Sequence, residues 1–143
     1  MTGFFLTGEI PRATSFEDVG GAFFLDEAGT QPDPILDDQA LFFDTREGLV
    51  VLLGCAHAGV VNTLNHIGRL RPGRRFHVVL GGMHLLTAGP ERIICTVEAL
   101  RALGVERLGP AHCTGAAATA RLWSEFPNAC TVCSVGSRFM FQR

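Results

Sequence analysis

A pattern of five residues recurs three times in this chain and constrains its fold more than any other feature. The copies are Leu53-Gly54-Cys55-Ala56-His57, Leu80-Gly81-Gly82-Met83-His84 and Leu108-Gly109-Pro110-Ala111-His112. Each copy follows an apolar run and precedes a helical pattern, and the three histidines are 27 and 28 positions apart. A strand that returns to its own sheet through a helix needs about 30 residues. The repeats therefore predict three strand-turn-helix units that bring three histidines to one sheet edge.

Three imidazoles at one sheet edge indicate a metal site, because open α/β sheets bind ligands at the carboxyl ends of their strands. Neutral imidazole is the commonest metal ligand, and three protein ligands with an open fourth position are typical of catalytic zinc. We therefore predict that His57, His84 and His112 bind a metal: zinc, with iron or manganese as alternatives. For any single copy, a histidine that only caps a helix is the simpler interpretation, but the repetition favours metal binding.

The apolar periodicity around the turns predicts an α/β fold of the α+β type, as a single domain over residues 1–143. A short connection at Arg46-Glu47-Gly48 predicts a hairpin. Helices are expected after His57, from Pro90 to Gly104, and over the Ala-rich stretch before Pro127. Strands are expected at 4–6, 22–25, 41–45, 49–53, 76–80, 105–108 and 132–141.

Charge and hydropathy exclude several partners. The chain has 12 basic residues, all of them arginine, and 14 acidic residues, so its net charge is −2. This balance provides no basic groove for nucleic acid. No apolar run approaches the roughly 20 residues that span a bilayer, and the N-terminus lacks the features of a signal peptide. We expect a cytoplasmic protein that contacts neither nucleic acid nor membrane.

Some other side chains are candidates for supporting roles. Asp33, Asp37 and Asp38 lie in an acidic loop, which is either a solvated connection or a source of a general acid beside the metal edge. His66 falls beside the buried stripe of a predicted helix and is expected to be structural, and His77 has no assigned role.

The five cysteines lack the density of a disulfide framework, so free thiols are expected. Cys130 and Cys133 form a C-x-x-C pattern in a predicted strand, where side chains three apart face opposite sides and do not share a metal. Cys55 and Cys113 flank histidine turns. Each of these cysteines is either a group that weakly supports a metal ligand or a small buried apolar residue.

The runs LVVLLGCAHAGVVNTL, LGGMHLL and GPAHCTG, in this order, resemble the second half of a metallo-β-lactamase superfamily hydrolase. FFLTGEIPR and DEAGTQPDPILDDQALFF resemble the branch that includes dihydropterin-forming phosphate synthases of methanopterin biosynthesis. The resemblance implies half of an αββα sandwich, with a mixed sheet and helices on its outer face. It also implies that His57 binds one metal and His112 another, while His84 falls where many members carry a bridging Asp. An imidazole cannot bridge two ions as a carboxylate does.

The first motif of that superfamily, H-x-H-x-D-H, does not occur in these 143 residues. The resemblance therefore implies the C-terminal half of the fold without its N-terminal half, and an inner sheet face left uncovered. Monomers seldom expose a broad apolar surface. We expect a partner, either a second copy of the chain in a homodimer or a separate N-terminal half-domain.

Three functions follow as alternatives. The first is a metal-dependent hydrolase in which metal-activated water attacks an ester or phosphoester of a small-molecule substrate. The second is a truncated, catalytically inert half that binds metal or a partner chain. The third is a nucleic-acid-processing member of the superfamily, which would need the basic groove that this composition lacks.

Overall fold

A computed structural model describes residues 3–142, and its five strands form one mixed sheet in the order β1-β2-β3-β4-β5. Their bounds are β1 (Phe4–Leu6), β2 (Ala40–Asp44), β3 (Leu49–Leu53), β4 (Phe76–Gly82) and β5 (Arg107–Ala111). The first three strands pair antiparallel, whereas β3, β4 and β5 pair parallel. The predicted hairpin and mixed sheet are confirmed, with the strand predicted at 105–108 observed at 107–111.

Three helices connect or follow the parallel strands: α1 (Val60–Leu70), α2 (Pro90–Ala102) and α3 (Ala116–Glu125). Helices α1 and α2 are the crossovers that parallel pairing requires, and α2 begins with proline at a position where no backbone N–H is needed. A short 3-10 turn, His112–Thr114, joins β5 to α3. No helix in residues 3–142 is long and apolar enough to cross a membrane.

All three helices contribute to one buried cluster on one face of the sheet. Leu64 of α1, Leu100 of α2 and Leu122 of α3 are fully buried there, together with Val51 and Val79 of the central strands. Burying a leucine side chain stabilises a fold by about 1.5–3 kcal/mol. This cluster therefore fixes the helices on the outer face of the sheet, as predicted.

The opposite face of the sheet is partly covered by the C-terminal segment rather than left bare. Phe139 and Phe141 pack against a smaller buried cluster formed by Phe43, Val50, Val78 and Leu80. Leu6 and Leu52 remain exposed, at 62% and 37% of their surface. The expectation of a wholly uncovered inner face is therefore corrected to an exposed apolar area around β1 and the end of β3.

The predicted strand at 132–141 is wrong. Backbone hydrogen bonds between Leu108 and residues 129 and 131 form only an isolated bridge along β5, and the chain then turns at Ser134 and Ser137. That turn carries the segment across the sheet, where its aromatic side chains are partly buried without pairing as a strand. Cys130 packs on the helix side and Cys133 on the opposite face, so the C-x-x-C pattern forms no shared site.

The predicted strand at 22–25 is also wrong, because it forms a loop with one isolated bridge, between Phe24 and Pro32. The Asp26 carboxylate accepts hydrogen bonds from the backbone N–H groups of Thr30 and Gln31, which closes the loop. These bonds, with the Thr30 hydroxyl first, hold the pKa of Asp26 below its usual value. A side chain that satisfies backbone donors locally competes with strand formation.

Candidate metal centre

The three repeated turns meet at one edge of the sheet because the parallel strands β3, β4 and β5 end side by side. Leu53 is in register with Gly81, and Gly82 is in register with Ala111. Beyond the strands, Gly82 N–H donates to the carbonyl of Gly54, at 3.1 Å. The predicted convergence of the turns is thus observed in the backbone.

Each turn contains a non-glycine residue in the left-handed backbone region. The φ angles are 57° at Ala56, 50° at His84 and 48° at His112. Such conformations cost on the order of 1–3 kcal/mol per residue and occur where the surrounding structure imposes them, often at functional sites. Histidine tolerates this region better than most residues. The strain marks the same edge of the sheet as the repeats do.

His57 and His84 form a close pair, with ring centroids 4.1 Å apart and planes tilted by 45°. His57 Nδ1 lies 3.1 Å from the carbonyl oxygen of Val19, and His84 Nε2 lies 3.2 Å from that of Gly20. A carbonyl only accepts, so these two ring nitrogens carry the hydrogens. The lone pairs of the neutral rings are therefore on His57 Nε2 and His84 Nδ1.

His84 Nδ1 is buried and has no hydrogen-bond partner among the described residues. Burial lowers the pKa of His84, because desolvation disfavours the charged ring, and the neighbouring His57 and Arg92 act in the same direction. The neutral imidazole is the form that binds metals. An orphaned, buried lone pair on a neutral ring fits a metal ligand.

A segment over residues 17–21 covers this histidine pair. Gly20, at φ +70°, lies so close to His84 that an added Cβ would come within 2.1 Å of the ring. Phe23 contacts the His57 ring edge-on, with centroids 5.2 Å apart. Asp18 pairs with the buried guanidinium of Arg92 in α2. Carbonyls of this segment thus set the orientation and tautomer of both histidines, as supporting groups do in metal sites.

Glu17 anchors the segment to the first turn of α1. Its carboxylate oxygens accept hydrogen bonds from the backbone N–H groups of Val61, at 2.9 Å, and Asn62, at 2.8 Å. Burial raises the pKa of Glu17, and the two hydrogen bonds oppose that rise. A carboxylate at a helix N-terminus satisfies donors that have no partner within the helix.

His112 belongs to a second, neighbouring group. Its Nε2 lies 3.1 Å from Cys55 Sγ, and the Cys113 thiol donates to the carbonyl of Cys55 at 3.3 Å. The ligand atoms of these three residues all lie within 4.8 Å of one another. Burial and the adjacent Cys55 raise the pKa of the Cys113 thiol. All five cysteines of the chain are free thiols.

The two groups adjoin each other, since the Cys113 carbonyl accepts hydrogen bonds from Leu85 and Leu86, which directly follow His84. Binding of a metal by His57, His84 and His112 together stays a prediction. His66 instead lies 3.2 Å from the carbonyl of Thr7, and His77 pairs with Glu106.

The three candidate carboxyls differ in whether they contact a histidine turn. Asp38 accepts a hydrogen bond from the backbone N–H of Ala58, directly after His57, at 2.8 Å. Asp33 instead accepts from Ile35 within its own loop, and Asp37 is exposed. Of the three, Asp38 is therefore the carboxyl tied to a histidine turn.

The residues that sequence reasoning missed are those of the covering segment, from Glu17 to Gly20, and their partner Arg92. None of them follows a strand or repeats a pattern. The glycine pair at Gly20-Gly21 was the one local signal, because adjacent glycines favour close backbone approach. The partner of that approach, His84, is 64 residues away.

Comparison with known proteins shows what the chain as a whole is similar to. The chain has a TM-score of 0.87 and 34% identity to the crystal structure of Tm1679, a metal-dependent hydrolase of the β-lactamase superfamily, covering 98% of this chain and 54% of that one. In sequence and fold, the chain therefore matches one half of a metallo-β-lactamase superfamily protein, and the predicted resemblance is confirmed. No family model matches the chain.

The branch predicted within the superfamily is also confirmed. The chain is 33% identical over 130 residues to the 7,8-dihydropterin-6-methyl-4-(β-D-ribofuranosyl)-aminobenzene-5'-phosphate synthase of Methanocaldococcus jannaschii. This match covers 88% of the chain and 44% of the synthase. The chain thus spans about half the length of each relative.

Proposed function

We propose that this chain forms one half of the active site of a metal-dependent hydrolase, in which metal-activated water attacks an ester or phosphoester of a small molecule. The observation that carries the proposal is the His57–His84 pair. Two backbone carbonyls fix the hydrogens on His57 Nδ1 and His84 Nε2. His84 Nδ1 therefore keeps a buried lone pair that has no partner among the described residues. The M. jannaschii relative is named a synthase, so hydrolysis is our proposal for this chain.

His57, His84 and His112 are the proposed ligands, and zinc is the proposed metal, with iron or manganese as alternatives. A bound metal lowers the pKa of its water to about 7 and polarises the scissile bond. The chain's own contribution is to hold neutral imidazoles in place and to limit access of bulk water through residues 17–21. The free thiols of the chain fit the predicted cytoplasmic location.

A cavity of about 510 Å³ along the covering segment, whose Val19 and Gly20 carbonyls contact the histidine pair, is the proposed binding place of the substrate. It is lined by the covering segment on one side and by residues 87–89 with Arg92 on the other. Arg92 is 9% exposed and faces the Asp18 carboxylate, and its Nε has no partner among the described residues. A phosphate that displaced Asp18 would gain a guanidinium partner, which favours an anionic substrate. Asp38 is the favoured general acid among Asp33, Asp37 and Asp38.

We also propose that a complementary N-terminal half-domain covers the exposed apolar area at Leu6 and Leu52. The relatives are about twice as long as this chain, and the metal-binding motif H-x-H-x-D-H is not among the 143 residues. Binding of a second copy in a homodimer is the alternative outcome. Size-exclusion chromatography with light scattering distinguishes a homodimer from a monomer, and a monomer is the result expected if a separate half-domain covers this area.

The experiment that tests the function measures metal content and hydrolysis by the purified chain, with bis-p-nitrophenyl phosphate and p-nitrophenyl acetate as probes. Turnover that a chelator abolishes and zinc restores supports the enzyme. Tightly held metal without turnover supports the inert half instead, for which the missing motif is the specific argument. Repeating the assay with a supplied N-terminal half separates an incomplete site from an inert one.

His57→Ala should lower metal occupancy about tenfold or more, because the variant loses one ligand of the pair. His66→Ala is the matched control, since His66 contacts only a backbone carbonyl away from the turns. Inductively coupled plasma mass spectrometry of dialysed protein gives the metal content. Equal losses from the two variants would remove the basis for assigning the repeated turns to the metal.

A further inference from the structure

We infer that Cys55, His112 and Cys113 form a second, sulfur-rich metal site that takes a soft divalent ion such as Zn²⁺. The one lone pair of a neutral imidazole binds one ion, so here His112 binds the second ion with the two thiols, and His57 and His84 remain for the first. The inference goes beyond the proposed function, because it adds two thiolates that the three-histidine set does not contain. It can also be tested without any turnover.

The geometry of the three donor atoms suits a tetrahedral ion. Their mutual distances are all within 4.8 Å, and His112 Nε2 lies 3.1 Å from Cys55 Sγ. Ligands of a tetrahedral zinc at about 2.0 Å for nitrogen and about 2.3 Å for sulfur lie about 3.5 Å apart. Side-chain shifts of under about 1 Å on average would bring the set to that spacing.

The backbone builds this group from two strands that are not neighbours. Cys55 follows β3, and His112 and Cys113 follow β5, with β4 between them. Gly82, at the end of β4, makes the approach feasible, because a Cβ there would lie 2.6 Å from Cys113 Sγ and 2.6 Å from the carbonyl oxygen of Gly54. The space that brings the thiols together is thus the space that a side chain at position 82 would fill.

The left-handed backbone of His112, at φ 48°, is strained, and the surrounding structure holds it in this conformation. Two half-buried cysteines acting only as apolar filling would not require a histidine nitrogen at contact distance from a thiol. Thiolate and imidazole together select zinc over the harder magnesium and calcium ions. Three protein ligands leave one position open for water or a substrate atom.

Metal binding here requires deprotonation of both thiols. Two S–H bonds break, their protons pass to the buffer, and two S–metal bonds form together with one N–metal bond. No oxidant or reductant takes part in this step. In the metal-free protein, the Cys113 hydrogen is held by the carbonyl of Cys55, which keeps the sulfur within the group.

The test is a titration of the reduced, metal-free chain with Co²⁺, followed by absorption spectroscopy. The expected result is thiolate-to-cobalt charge-transfer absorption that saturates at one equivalent and is displaced by Zn²⁺. Cys55→Ser and Cys113→Ser should each weaken it at least tenfold. Cys95→Ser, a free cysteine of α2 outside the group, should leave it unchanged. Absence of the absorption in the wild type, or its persistence in both serine variants, would overturn the inference.

A second measurement needs no variant and so does not depend on folding of one. The wild-type chain is alkylated with iodoacetamide with and without Zn²⁺, and mass spectrometry locates the modified cysteines. Zinc should protect Cys55 and Cys113 and leave Cys95 reactive. Protection of Cys95 to the same degree, or of neither site cysteine, would refute the site. Charge-transfer absorption without hydrolysis would leave this inference standing while the proposed function fails, and hydrolysis without it would do the reverse.

Discussion

Two regions of this molecule form the candidate metal centre, and different kinds of contact hold them there. The repeated region, residues 49–126, brings its histidines there through strand-turn-helix units whose cores are local and apolar. The covering region, residues 7–39, contains no helix or extended strand among its described residues and is held by hydrogen bonds to residues far along the chain. The comparison shows that burial supports the first region and that directed polar contacts support the second.

The polar contacts of the covering region concentrate on a few side chains. Asn62, which is buried in α1, accepts hydrogen bonds from the backbone of both Ala13 and Thr14. Arg12 donates to the carbonyl of His57 at 2.8 Å, and its other nitrogen reaches the carbonyl of Ile35. The contacts of Asn62 and of His57 join the loop to a histidine turn or to the helix after it, whereas the contact with Ile35 joins two parts of the covering region. Breaking one should loosen the covering region without unfolding the sheet.

The largest expected effect lies in the core of the repeated region. Leu64→Ala should lower the free energy of unfolding by about 2–5 kcal/mol, because it leaves a cavity in a fully buried part of α1. Leu25→Ala, in the covering region and 66% exposed, is the control and should change it by less than about 0.5 kcal/mol. Urea unfolding followed by circular dichroism measures both. Similar losses would contradict the proposed difference between the regions.

The next largest effect is expected where the two regions are joined. Asn62→Ala should cost about 2 kcal/mol, because the backbone donors of two loop residues and the carbonyl of Ala58 lose their partner. Asn65→Ala on the exposed side of the same helix is the matched control. Faster proteolysis within residues 7–39 in the Asn62 variant alone would localise the change. Cleavage confined to the sheet would argue against it.

A smaller effect on stability, with a larger effect on the site, is expected at Gly20. Gly20→Ala should cost about 1 kcal/mol from its positive φ. It should also weaken zinc binding about tenfold, because the added methyl group displaces the carbonyl that orients His84. Gly8→Ala has a similar positive φ but no atom within 4 Å of the added Cβ, so it isolates the backbone cost. Calorimetric titration measures the zinc affinity of both variants. Equal affinities would show that the contact between Gly20 and His84 does not affect zinc binding.

The smallest effect is a change in pH dependence at Glu17. Burial raises the pKa of this carboxyl above 4.5, so the folded state binds its proton more readily than the unfolded state. The stability it contributes is therefore fully present below pH 4.5 and is lost as pH rises through the raised pKa. Glu17→Gln should remove this decline, whereas the exposed Glu27→Gln should preserve it. Urea unfolding at several pH values gives the free energy of unfolding as a function of pH. If this free energy changed with pH in the same way in the wild type and in Glu17→Gln, the raised pKa of Glu17 would not be the cause of the decline.

The sequence correctly predicted those parts of the fold where the local residue pattern matches the way the element packs in the structure. The buried stripe of α1 and the proline that begins α2 indicated helices that the structure contains. The predicted strands at 22–25 and 132–141 failed because apolar content alone does not supply a neighbouring strand. In the second case, Phe139 and Phe141 are partly buried because their segment crosses the sheet rather than extending it.

The position of the candidate metal centre was predictable to the same limited degree, and metal binding there stays a prediction. The repeated turns predicted where His57, His84 and His112 lie along the sheet edge. The spacing could not reveal that His57 and His84 are in ring contact while His112 approaches Cys55, because that depends on side-chain directions within each turn. Nor could it reveal the covering segment, whose hydrogen bonds to His57 and His84 span 38 and 64 residues.

The sequence by itself determined the sheet edge at which this protein concentrates its histidines, since periodic apolar runs and glycine turns act over a few residues. Only the tertiary structure decided which ring nitrogens keep a lone pair and which thiols lie beside His112. Those outcomes depend on carbonyls and strand ends brought together from distant parts of the chain, and no local pattern encodes such distances.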